Sequence, residues 1–287
     1  MAKIGRFYFF GTIVLLIGIM EFGVSAQTPT PSPSPTPSLE KQFLKNIWHD
    51  QKTIWTAPLR LERSDTKWMI PMGIGTMALF TTDRITGDEI AKFDDQRTAS
   101  RIMSAPGSIY GVGAIAATFY AVGRKQHNSR ARETGILIAQ GSVNSLIVSS
   151  GLKLITQRVR PQTGVERSEF FDGGDSFPSG HSIQAWSMAT IVANEYHDHR
   201  MVQVAAYGIA GAVSVARFTS GKHYISDAVI GSLIGYGIGK YVYQAHHRES
   251  AGSGDENDIE RISHWPTIVP DYNRGLRQYS LGLSWSF

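Results

Sequence analysis

Cysteine is absent from all 287 residues. That excludes disulfides, thiolate metal sites, a cysteine nucleophile and a lipid-modified N-terminal cysteine. Charge of one sign is scarce as well: 28 Lys and Arg against 24 Asp and Glu leave a formal +4. No run of five or six basic residues occurs, so a nucleic-acid partner is not expected. Long unbroken apolar runs are missing too, since none reaches about 18 residues without a polar interruption. Charged residues are only 18% of the chain, while the mean hydropathy lies just below zero. This composition is apolar for a soluble protein, yet thin for a chain threaded many times through a bilayer. Metal-ligand spacing is also lacking. Asp83, Asp88, Glu89, Asp94 and Asp95 do not follow a calcium-loop pattern and are expected on a solvated face. His197, His199, His246 and His247 are expected at the surface. No metal and no cofactor is called for.

What is present begins with the N-terminus. Lys3 and Arg6 precede the apolar stretch FYFFGTIVLLIGIM, followed by small residues Val24 and Ala26 placed for cleavage after Ala26. Positive start, short apolar middle and small-x-small exit describe a secretory signal peptide over 1–26. An uncleaved anchor is the other reading, but a span needs about 20 apolar residues. The expected location is therefore outside the cytoplasmic membrane, periplasmic or envelope-associated, with integral insertion as the alternative. Residues 27–41 hold TPTPSPSPTPS, an alternation that favours extended polyproline II and reads as a spacer.

Six apolar segments follow: Trp68 to Phe80, Ile109 to Val122, Gly135 to Ile155, Ser182 to Tyr196, Val202 to Phe218 and Ile225 to Tyr243. Their length and lack of strict alternation predict buried helices. The fold class expected is all-α: a bundle of about six core helices over 42–248, with a flexible N-terminal linker and a short C-terminal extended or β tail. Gly231, Gly235 and Gly239 repeat every four residues, a smooth stripe where another helix can approach closely. GIGTMA, residues 73–78, half-matches a dinucleotide loop, but no strand precedes it. In the tail region, 249–287, a charged link leads to YSLGLSWSF. Its period of two predicts a strand with one apolar face. Such a strand either lies across the bundle or, as in outer-membrane proteins that end on an aromatic, belongs to a barrel.

Three blocks carry chemistry. In KLITQRVRP, Lys153 and Arg160 are seven residues apart, so a continuous helix would point both the same way until Pro161 ends it. Snorkelling to water would explain that pair alone. In SFPSGHS, the tetrapeptide Pro178 to His181 stands at the threshold of a helix, whose free amides form an anion site. Gly180 lets a ligand approach the backbone, Ser179 adds a hydroxyl and His181 a group that can be charged near neutral pH. In ARFTSGKHYISD, His223 and Asp227 are four apart, neighbours on one face of a helix, with Arg217 supplying a planar fork for phosphate oxygens. A carboxylate bonded to one ring nitrogen leaves the other free to attack. Together the blocks make a positive cage for a tetrahedral oxyanion, with two imidazoles at its edge.

These blocks resemble the three-part signature of the type 2 phosphatidic acid phosphatase family, which shares its fold and site with class A acid phosphatases and vanadium haloperoxidases. The family pattern K-x6-RP, PSGH and SR-x5-H-x3-D is met at Lys153 to Pro161, at Pro178 to His181, and at Arg217, His223 and Asp227. Ala216 departs from the usual serine, which puts one minor hydrogen bond in doubt. The resemblance covers about Gly135 to Gly239. It implies that His223 is the nucleophile and forms a phosphohistidine, that Asp227 orients it, and that His181 protonates the leaving group and then activates water. Lys153, Arg160, Ser179, Gly180 and Arg217 would hold the phosphoryl oxygens. No metal is implied. The substrate class is a lipid phosphate, a polyprenyl diphosphate or a small organic phosphate, and association with a membrane stays open. The alternatives are a vanadate-dependent haloperoxidase, or a non-catalytic envelope protein that works through its C-terminal strand.

Overall fold

A computed structural model describes residues 39–60, 66–90, 96–161, 169–250, 267–273 and 278–284. The expected signal peptide, most of the Pro-rich spacer, Asp94, Asp95 and most of the charged link after residue 250 lie outside the described residues. Among the described residues there are eight α-helices: α1 Leu39–Thr56, α2 Thr66–Ile90, α3 Gln96–Ser104, α4 Ile109–Lys125, α5 Ser129–Thr156, α6 Gly180–Glu195, α7 Arg200–Thr219 and α8 Ile225–Ser250. Single 3-10 turns follow α1 and α3. The six apolar runs correspond to α2 and α4 through α8. The two helices beyond the expected six, α1 and α3, are polar segments.

Helix starts are capped as their sequences allow. Ser108 accepts from the amide of Gly111 at 3.0 Å, opening α4, and Asn128 accepts from Ala131 at 3.0 Å, opening α5. Each satisfies an amide that the first turn would otherwise leave free. α6 is the central helix. Ile183, Ala185 and Ile191 are fully buried, and Ser187 and Ala189 nearly so, so it is enclosed by its neighbours. Around it, Leu137 and Ile138 of α5, Val213 of α7, Val242 of α8 and Val112 of α4 complete the core.

Polar interruptions of the helices have partners. Gln140 and Asn144 of α5 donate to one carboxylate oxygen of buried Asp50 on α1, at 2.7 and 2.6 Å. α1 is thereby fastened to the bundle by a polar contact that hydropathy does not reveal. Buried carboxylates persist where such donors are supplied.

The glycine stripe sets the position of α8. A Cβ at Gly235 would lie 2.3 Å from the carbonyl oxygen of Ile183, one at Gly239 2.5 Å from that of Ser187, and one at Gly231 2.8 Å from that of Ser179. Both series ascend together, so α6 and α8 run parallel with their backbones in contact. α5 runs antiparallel to α6, with Gly141 beside Ser187 and Ile191 and Ser149 beside Gly180. α7, which returns from α6 through the short turn at 196–199, is antiparallel too. One end of the bundle therefore collects the C-termini of α5 and α7 and the N-termini of α6 and α8.

Residues 248–287 form a separate unit. The alternating tail supplies β2 Gln278–Ser284, which pairs antiparallel with β1 Thr267–Asn273, Thr267 facing Ser284 and Asn273 facing Gln278. Pro270 within TIVPDYN concealed β1 from a reading by alternation.

Candidate active site

All eight expected site residues come from that shared end. Lys153 lies in the last turn of α5. The N-cap of α6 is Ser179, and Gly180 and His181 are its first two residues. Arg217 is in the last turn of α7 and Asp227 in the first turn of α8. A Cβ on Gly180 would be 3.9 Å from Lys153 Nζ and 3.7 Å from Ser149 Oγ. The ammonium thus stands over the first turn of α6, where free amides and the helix dipole already favour an anion. Lys153, Arg160, Gly180, His181 and Arg217 are half-buried, whereas Ser179, His223 and Asp227 are buried. The arrangement is a rim of cations around a buried imidazole.

Electrostatics agree with this proximity. Burial, then Arg217, His223, Lys153 and Arg160, push the His181 imidazole down to about 3. Burial also lowers His223, against the opposing pull of Asp227. For Asp227, burial works against its charge, but the neighbouring His223, the charge of Arg158 and the Ser176 hydroxyl prevail and hold it below the usual carboxylate range. Nε of Arg217 has no hydrogen-bond partner among the described residues, and Nη1 reaches only Ser104 of α3, at 3.4 Å.

Several expectations are corrected. Lys153 and Arg160 do not share a helix: α5 stops at Thr156, because Gln157 takes a left-handed conformation at φ 43°. Pro161 comes too late to be the terminator. Arg160 stands in the segment after α5, where its fork pairs with Asp175 at 2.6 and 2.8 Å. That contact holds the Asp175 carboxyl below its ordinary range. His223 precedes α8 and does not sit on it. Its Nδ1 is 2.7 Å from the carbonyl of Ser176 but 3.7 Å from Asp227 Oδ2. A carbonyl only accepts, so Nδ1 carries the proton and Nε2 keeps its lone pair. Asp227 acts one step back, accepting from the Ser176 hydroxyl and from the amide of Tyr224 at 3.0 Å.

Asp83 is not on a solvated face. It is fully buried, its Oδ2 2.8 Å from Nη2 of Arg158. Arg158, passed over inside KLITQRVRP, also reaches Asp227 Oδ1 at 2.6 Å through Nη1. The side chains of Asp88 and Glu89 lie outside the described residues. His197 and His199 are exposed as expected, but His246 is largely enclosed, 3.8 Å from Glu133. Among the described residues no group of three or more His, Asp or Glu is arranged to hold a metal ion.

Comparison with known proteins finds a family model that matches the helices carrying this site. Residues 135–251 match the family model described as PAP2 superfamily. Over 70 residues the chain is 31% identical to a lipid A 1-phosphatase of Porphyromonas gingivalis, covering 24% of this chain and 16% of that protein. The chain thus spans about a sixth of the length of that curated relative. A crystal structure described as the first transmembrane PAP2 type phosphatidylglycerolphosphate phosphatase, from Bacillus subtilis, aligns at a TM-score of 0.38 and 21% identity, covering 60% of this chain and 96% of that one.

Proposed function

We propose, from the premise that residues 135–251 belong to the PAP2 superfamily, that the chain is a phosphatase acting on lipid phosphates through a phosphohistidine intermediate. The observation that carries this reading is that the C-termini of α5 and α7, with Lys153 and Arg217, and the N-terminus of α6, with His181, lie at one end of the bundle, where Lys153 Nζ stands by Gly180. A phosphoryl group passing between oxygen and nitrogen keeps its charge on three peripheral oxygens, and fixed cations and amides stabilise it there.

In the first half-reaction Nε2 of His223 attacks phosphorus and the P–O bond to the leaving group breaks. The departing alkoxide takes a proton from His181. In the second, His181 removes a proton from water, the resulting oxygen attacks phosphorus, and the P–N bond breaks to release inorganic phosphate and neutral His223. The Nδ1–H of His223 stays on the Ser176 carbonyl and stabilises the ring as positive charge develops. His181 must be charged for the first half. Its low value belongs to the free cage, and a dianion bound among the same cations offsets them and raises it. This scheme assigns no step to a metal.

A lipid substrate is supported by the apolar exterior. α5 and α7 are long and apolar enough by length and composition to cross a membrane, though α5 is over half buried within the bundle. α7 leaves Met201, Val204 and Val215 exposed, and α2 leaves Ile70, Ile74 and Met77 exposed. We read these faces as lying against a membrane, with the protein exported to the envelope by its N-terminal segment.

The test is an assay of the purified protein against a lipid phosphate, a polyprenyl diphosphate and a small aryl phosphate. Rapid acid-free quenching with labelled substrate should trap an acid-labile phosphoryl group, absent from His223→Ala. Turnover of none of the three substrates, or label retained by that variant, refutes the reading.

A further inference from the structure

We propose that Asp83 and Arg158 are positioning residues for this reaction: a buried line from Asp83 through Arg158 to Asp227 holds the carboxylate that aims His223. The proposal deepens the phosphatase reading and rests on it for its catalytic meaning. Asp83 lies on α2, outside the residues matched by the family model.

Arg158 is 1% exposed. A guanidinium removed from water persists only where charges and acceptors replace the lost hydration. Nη1 bonds Asp227 Oδ1 at 2.6 Å and Ser226 Oγ at 2.8 Å, and Nη2 bonds Asp83 Oδ2 at 2.8 Å. Asp83 also accepts from the amide of Ser226 at 3.2 Å and from its hydroxyl. The rings of Phe80, Phe170 and Tyr224 lie 5.1, 4.9 and 4.2 Å from the guanidinium carbon. They exclude water and leave the charges poorly screened.

A buried pair that merely held two segments together would end there. This one continues to the imidazole. Arg158 takes Asp227 Oδ1, which leaves Oδ2 for the Ser176 hydroxyl and the Tyr224 amide. Ser176 in turn presents its carbonyl to His223 Nδ1. Two carboxylates and one guanidinium give the line a net negative charge, directed at a ring otherwise faced by cations. Those are Arg217 at the end of α7, Arg160 with its partner Asp175, and Lys153 at the end of α5, and the His181 imidazole on α6, uncharged near pH 7 in the free cage, stands with them. Neither Asp83 nor Arg158 belongs to the rim, so each can be changed without removing a phosphate ligand.

The signs of the two changes are opposite. Asp83→Asn keeps the shape and an acceptor for Ser226 but removes a negative charge, so protonated His223 becomes less favourable and its titration moves to lower pH. Arg158→Met removes the positive charge, so His223 titrates at higher pH. Each shift should reach roughly half a pH unit or more. The decisive measurement is the titration of isotope-labelled His223 by NMR in the full-length protein without substrate, beside kcat and KM profiles. Both variants should lose about tenfold or more in kcat with KM within about twofold of the parent. Arg158→Lys should restore the titration towards the parent value. Unmoved titrations in folded variants, or shifts of the same sign, overturn the proposal. If Arg158→Met does not fold, Asp83→Asn decides alone, a downward shift supporting and no shift overturning. A protein whose His223 titrates as stated but which turns over no phosphate would sink the phosphatase reading and leave this geometry standing.

Discussion

The backbone amide of Ser179 donates to the carbonyl of Asp227 at 3.1 Å. The residue that caps α6, where the phosphate oxygens are expected, is therefore bonded directly to the first turn of α8, which holds the carboxylate behind His223. Loops far apart in sequence meet here through peptide groups. Any displacement of one helix along the other moves the cradle relative to His223, the proposed nucleophile.

Gly235→Ala should show this. Its Cβ would stand 2.3 Å from the Ile183 carbonyl, a backbone atom that cannot rotate away. The helices must part, at a cost of about 2 kcal/mol, and turnover should fall by about a hundredfold because the two imidazoles separate. Gly237→Ala, which meets nothing within 4 Å, is the control and should leave both properties near the parent. Thermal melts and kcat measured on both variants check the pair.

His181→Ala should discriminate between leaving groups. An alkyl phosphate needs a proton on its departing oxygen, whereas an aryl phosphate with an acidic phenol does not. Loss on the alkyl substrate should exceed loss on the activated aryl one by about a hundredfold. Equal losses would mean that His181 does not act as the acid.

Anion binding should take up a proton. His181 sits near 3 in the free cage, and a bound dianion raises it. An anion that favours the protonated ring binds more tightly as pH falls below the raised value of the complex towards about 3, by at most tenfold per pH unit. Sulfate remains a dianion throughout this range. Its inhibition constant should decrease from pH 8 to pH 5, with proton uptake seen by calorimetry in buffers of different ionisation heat. Flat inhibition would show that His181 is not in the cage field.

Away from the site, burial raises Glu195 to about 7 from an ordinary 4.5, and its Oε1 has no hydrogen-bond partner among the described residues. A carboxyl raised on folding favours the native state below the unfolded value. That contribution is lost as pH rises through the folded one. Glu195→Gln should therefore stabilise the protein at pH 8, by up to about 3 kcal/mol, and do little at pH 4. Melting temperatures at the two pH values are the check.

Legibility followed apolar content. α4 to α8 announced themselves as apolar runs, and their ends in the structure fall within seven residues of the expected ones. α1 did not, because LEKQFLKNIWHDQKTIWT is polar and docks through Asp50 onto Gln140 and Asn144, a match visible only in three dimensions. The three motif blocks were readable because residue type and spacing persist even where the helix assumed for them does not, as with Lys153 and Arg160. Asp83 was misread among neighbouring acids. The signal was there in form: TKWMIPMGIGTMALF is apolar up to Phe80, and one more helical turn carries the same element past Asp83. What no spacing rule offers is its partner Arg158, 75 positions later.

Contact of peptide on peptide between α6 and α8 has one more consequence. Side chains elsewhere in the bundle can be exchanged for others of similar volume and the core will adjust, but the spacing of α6 and α8 is ruled by peptide groups that meet only where Gly231, Gly235 and Gly239 carry no Cβ. Substitutions are thus freer to accumulate on the outward faces, where α2 and α7 leave apolar side chains exposed, while the contact beneath keeps one gauge.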